Sequence, residues 1–117
     1  MTPDRLSDLT KQILRFREER NWGQFHNPKD MAISLSLEAG ELLEFMQWKN
    51  GDELTQELLL HKTEVGEELS DILYWTLLLA HDLNIDLGEA FLAKMVVNEA
   101  KYPIEQSHSS SKKYTEL

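Results

Sequence analysis

The chain has 117 residues, 41% of them hydrophobic and 28% charged, which fits one folded domain at roughly 100–200 residues each and is too apolar for wholesale disorder. With 21 acids against 12 bases the formal charge is −9, which argues against a nucleic-acid polymer or an anionic membrane as the main partner. Cysteine is absent, so disulfide scaffolds, thiolate zinc sites and cysteine nucleophiles are excluded.

The opening MTPDRLSDLT lacks the basic and apolar regions of a secretory signal. No apolar run approaches the ~20 residues needed to cross a bilayer. The expected setting is soluble and cytoplasmic.

In chain order, the first helix is expected over about Pro3 to Arg20, with Leu6, Leu9, Ile13, Leu14 and Phe16 at helical spacing. Proline suits its first turn, where the missing amide hydrogen costs little. The segment NWGQFHN breaks the pattern and carries three ring side chains, Trp22, Phe25 and His26. A second helix, capped by Asn27 and carrying Asp30 in its first turn, runs from Pro28 to about Trp48, where Lys49-Asn50-Gly51-Asp52 stops it. A short helical turn covers Glu53 to Leu60. The third helix spans about Thr63 to Asp82 and is ended by Asn84. The fourth starts at the Asp86-x-x-Glu89 cap and reaches Lys101, before Pro103. The polar tail, residues 105–117, is expected to be mobile unless something holds it. The fold class is therefore all-α, an antiparallel four-helix bundle over residues 1–104. The second and third helices are apolar around nearly their whole circumference, so a homodimer or homotetramer is expected to complete the bundle.

Acids interrupt the apolar faces of those two helices. On a helical wheel Glu38 is flanked by Met31, Leu35, Leu42 and Phe45, and Glu41 lies one turn along. In the third helix Asp71 shares a stripe with Glu64, Glu68, Trp75 and Leu78. Each pair, Glu38/Glu41 and Glu68/Asp71, is spaced i, i+3 and can reach one point. At about 1.5 Å rise per residue both pairs lie roughly 8–11 Å from the shared connection, so antiparallel neighbours would bring them level. Four converging carboxylates repel one another unless cations intervene. Mg²⁺ is the hard-cation remedy, and Mn²⁺ also accepts oxygen ligands. Either pair alone is an ordinary feature of a solvated helix; the matched heights and apolar neighbours favour a metal site. A di-iron bundle needs two Glu-x-x-His motifs, and only Glu105 and His108, in the tail, fit that spacing.

These residues carry a resemblance. LEAGELLEFMQW (37–48) followed by EELSDILYW (67–75) is similar to the ExxE…ExxD motif of MazG-like nucleotide pyrophosphohydrolases. WxQFH (22–26), KMxxN (94–98), the KYP at 101–103 and the closing SSSKKYTEL resemble the dCTP pyrophosphatase branch. The resemblance implies a Mg²⁺-dependent hydrolase of nucleotide metabolism that cleaves a nucleoside triphosphate, dCTP or a modified dCTP, to monophosphate and pyrophosphate, as nucleotide-pool house-cleaning. It implies Glu38, Glu41, Glu68 and Asp71 as metal ligands and catalytic groups. Trp22, Gln24, Phe25, His26, Trp48 and Trp75 are implied at the nucleoside, and Lys94 and Asn98 at phosphate or sugar. Two positions depart from the vertebrate members, which have histidine and tyrosine where this chain has Ile13 and Trp75. Competing expectations are an all-α dUTPase-like or phosphoribosyl-ATP pyrophosphohydrolase activity, and a non-catalytic helical interaction module.

Overall fold

Short polar side chains, those of Asn27 and Asp86, cap two of the helices. The computed structural model describes residues 5–117, so Pro3 lies outside the described residues. Helix α1 spans Arg5–Glu19 and is followed by a 3-10 turn over Trp22–Phe25. Asn21, at φ 52°, makes the left-handed step between them, a conformation asparagine tolerates better than most residues. Helix α2 covers Pro28–Glu44, and Asn27 Oδ1 accepts from the Asp30 amide at 2.9 Å. Helix α3 is Gly51–Leu60, α4 is Lys62–Asp82, α5 is Leu87–Lys101 and α6 is the single turn Ile104–Ser107. The fold is all-α, with no strand among the described residues. No described helix is long and apolar enough to cross a membrane.

Two boundaries differ from expectation. The second helix stops at Glu44 rather than near Trp48, because the Phe45 and Met46 amides bond to carbonyls three residues back, those of Leu42 and Leu43. Trp48 then adopts φ 68°, a left-handed conformation that costs a bulky residue of order 1–3 kcal/mol. The expected short turn is a full ten-residue helix: Asn50 precedes it in extended backbone, and Asp52 and Glu53 favour its positive N-terminal end.

The chain forms two compact units, the first ending at Asn84 and the second comprising Ile85–Leu117. In the first, α2 packs most extensively on α4. His26, just before α2, meets Trp75, whereas Phe45, just after α2, meets His61; the two helices are therefore antiparallel. Helix α1 runs parallel to α4, since Leu9 and Gln12 share a groove with Ser70 and Leu73 while Arg17 reaches Asp82. Met31, Leu77, Leu78 and Ala80 are the buried apolar side chains of this core.

In the second unit Asp86 Oδ1 accepts from the Glu89 amide at 3.1 Å, capping α5 as its spacing suggests. The polar tail is held: Tyr114 packs edge-on against Tyr102 at 6.0 Å, and the Lys101 ammonium lies 4.6 Å from its ring centre, a cation–π arrangement.

Candidate active site

Antiparallel packing brings the two acid motifs level. Oxygens of Glu38 and Glu41 from α2 and Glu68 from α4 all lie within 4.8 Å of one another. Asp71, one turn beyond Glu68, is exposed and shares a cleft with Glu38. Glu44, Glu64 and Glu67 are exposed.

The electrostatics record the crowding. Burial, then the Glu68, Asp71 and Glu41 carboxyls, push Glu38 from 4.5 up to about 7. Burial also raises Glu68, helped by Glu41 and Asp71 and opposed by the adjacent Glu38 carboxyl. The Oε2 atoms of Glu38 and Glu68 are buried with no hydrogen-bond partner. Such orphaned acceptors are costly unless something satisfies them. The donor set is oxygen only, arrives from two helices and carries excess negative charge. It therefore fits a hard divalent cation, to which carboxylates are the preferred protein ligands.

Glu38 also faces a cleft of about 450 Å³ lined by Gln12, Ile13, Phe16, Trp22, Tyr74, Trp75 and Asp71. Four aromatic rings form a continuous edge-to-face wall: Trp22 on Phe16 at 5.6 Å, Phe16 on Tyr74 at 6.2 Å and Tyr74 on Trp75 at 5.0 Å. The Arg20 guanidinium covers the outer side of Phe16 at 3.9 Å. Burial holds the Tyr74 hydroxyl above its ordinary pKa, and Arg17 and Arg20 partly offset the rise. The cleft thus joins an apolar aromatic wall to the acidic cluster through Glu38.

The structure sorts the remaining sequence-derived positions. Trp22 and Trp75 line the cleft. His26 stands behind Trp75, their ring centres 5.4 Å apart. Gln24 turns back to donate to the Asn21 carbonyl. Phe25 is 67% exposed and Trp48 89% exposed, and neither lines the cleft. Lys94 and Asn98 lie four residues apart on α5, in the second compact unit. Gln12, Phe16 and Tyr74 were not anticipated at the site. Their signal was present, since Gln12 and Phe16 flank Ile13 on α1 and Tyr74 follows Asp71 by three residues.

Residues 33–117 match the model of the MazG-like family. The chain belongs to the MazG-like family. Human dCTP pyrophosphatase 1 is 40% identical over 114 residues, covering 96% of this chain and 67% of that protein. The mouse protein of the same name is 38% identical, again over 96% of this chain and 67% of its own length. A pyrophosphatase from Archaeoglobus fulgidus has a similar solved structure, with TM-score 0.83 and 38% identity, covering 88% of this chain and 96% of that one. This MazG-like chain therefore shares both sequence and helical arrangement with pyrophosphatases.

Proposed function

We propose that this MazG-like chain is a Mg²⁺-dependent nucleotide pyrophosphohydrolase that converts a deoxynucleoside triphosphate, dCTP or a modified dCTP, to the monophosphate and pyrophosphate. The observation that carries the reading is the position of Glu38, which belongs both to the carboxylate cluster and to the aromatic cleft. A nucleotide has the matching polarity, a flat base at one end and a polyphosphate at the other. Relatives named dCTP pyrophosphatase 1 support the base assignment.

Glu38, Glu41, Glu68 and Asp71 would hold Mg²⁺, with Mn²⁺ as an oxygen-accepting substitute. Bound divalent cations supply charge neutralisation at the phosphate oxygens and ease deprotonation of the attacking water. The protein's own groups do the rest. Trp22, Phe16, Tyr74 and Trp75 hold the base by stacking and exclude water from that end of the cleft. Water attacks in line, the bond between the α and β phosphates breaks, and pyrophosphate leaves. Glu41, the exposed member of the trio, is assigned the proton given up by that water. By resemblance, Gln24, Phe25, His26 and Trp48 serve the nucleoside side and Lys94 and Asn98 the phosphate or sugar side. A cytoplasmic location and a homo-oligomeric state complete the proposal. Leu37, Leu43, Leu59, Leu60 and Leu69 are each more than half exposed and are apolar side chains that such an assembly would cover.

Incubation with a panel of dNTPs in Mg²⁺ or in chelator tests the activity. Pyrophosphate and dCMP are expected from dCTP in Mg²⁺ only. Release of inorganic phosphate in place of pyrophosphate, or undiminished turnover in chelator, would overturn the reading.

A further inference from the structure

Behind the aromatic wall lies an ion pair that the proposed chemistry does not use. Arg17 on α1 grips Asp82 at the end of α4 with two parallel hydrogen bonds, Nη1 to Oδ2 at 2.8 Å and Nη2 to Oδ1 at 2.9 Å. Their side chains are 15% and 23% exposed, so the pair is partly shielded from solvent, more than an ordinary surface bridge. Such a fork fixes direction as well as distance. The same Nη1 lies 3.5 Å from His26 Nδ1, and the His26 ring abuts Trp75 at an interplanar angle of 73°. A connected series therefore runs from Asp82 through Arg17 and His26 to a ring that lines the cleft.

We propose that Arg17 and Asp82 are positioning residues for the nucleobase end of the cleft, acting through His26 to set the tilt of Trp75. The inference rests on the proposed nucleotide reading of that cleft. Burial first, and Arg17 second, lower the His26 pKa, with Asp82 opposing; this favours the neutral ring, whose Nδ1 can accept from a guanidinium that only donates. His26 then serves the nucleoside side indirectly, as a strut between Arg17 and Trp75. The other end of the same segment carries Trp22, and Arg17 precedes it by only five residues. Releasing Arg17 from Asp82 therefore loosens the rings at the base end while leaving the α2/α4 carboxylates in place.

Two arms test this. In a chain whose single tryptophan is Trp75 (Trp22→Phe with Trp48→Phe), acrylamide quenching without nucleotide reports the exposure of that ring. Asp82→Ala is expected to raise the quenching constant about twofold, Asp82→Asn to raise it less, and both should retain helical circular dichroism. In the otherwise unaltered chain, Asp82→Ala should raise the KM for dCTP about five- to tenfold with kcat within about twofold, because the error lies in positioning. A merely structural pair would lower the melting temperature and leave both readouts unmoved. Unchanged Trp75 quenching overturns the proposal, as does an equal fall of kcat with KM unchanged. If the unaltered chain shows no pyrophosphohydrolase activity, the functional reading fails, and the quenching arm alone then decides the positioning role.

Discussion

Replacing Glu38 by glutamine keeps the side chain's shape and removes one negative charge from the cluster. In the folded chain Glu38 is raised from 4.5 to about 7 by burial and by the Glu68, Asp71 and Glu41 carboxyls. The fold therefore disfavours its ionised form. That penalty is nil below the unfolded value, grows as pH rises through the interval and is complete above about 7. Taken whole, the displacement corresponds to ~3 kcal/mol; solvent screening of this partly exposed carboxylate leaves about 1 kcal/mol. Glu38→Gln should accordingly stabilise the metal-free protein at pH 8, by roughly 4 °C in melting temperature, and should have no such effect near pH 4.5. Divalent cation reverses the order. The unaltered chain should gain about 2.7 kcal/mol at a hundred times the dissociation constant, and the variant much less. Thermal melts in chelator and in Mg²⁺, across pH 4.5–8, read both effects. Destabilisation by Glu38→Gln in chelator at pH 8, or equal stabilisation of both proteins by Mg²⁺, would refute the reasoning.

Other consequences follow from single features. Trp22→Ala should raise the KM for nucleotide by about tenfold, given stacking worth about 1–3 kcal/mol per base, with little change in melting temperature because the ring is 41% exposed. An unchanged KM in steady-state kinetics would return Trp22 to a packing role. Breaking the Arg17–Asp82 fork with Asp82→Ala should cost about 1–2 kcal/mol at pH 7 in denaturant unfolding. Because Arg17 holds the Asp82 carboxyl below its ordinary 3.8, this contribution is present above that value and fades as pH falls through the folded one. Charging two exposed leucines of α2 with Leu37→Glu and Leu43→Glu should shift an oligomer to monomer in analytical ultracentrifugation; a monomeric mass for the unaltered chain at micromolar concentration would contradict the assembly.

Local grammar made much of the fold legible. Asn27 and Asp86 cap helices in the expected way, because a side-chain oxygen four atoms from its own amide finds the third amide of the following turn. The i, i+3 spacing of the acids was readable, but their distances from one connection were not: α2 ends at Glu44, α4 starts at Lys62 and α3 lies between, so Glu38, Glu41 and Glu68 meet through α2/α4 packing rather than through equal heights above a shared turn. Tertiary bonds were not readable. Nothing in periodicity announces that Arg17 meets Asp82, 65 residues away, or that His26 lies behind Trp75 rather than beside it. Trp48 illustrates another limit, since its left-handed backbone follows from an early helix end that Asn50 and Gly51, two and three residues later, did not forecast. The tail was read from its serines alone, whereas Tyr114 ties it to Lys101 and Tyr102.

Mn²⁺ offers the sharpest look at the acid cluster, because it takes oxygen ligands and scatters anomalously. Crystals grown with Mn²⁺ and a nonhydrolysable dCTP analogue should show an anomalous peak in direct contact with oxygens of Glu38, Glu41 and Glu68. A peak seated elsewhere, with these three carboxylates free of metal, would contradict the assignment of this cluster as the catalytic centre.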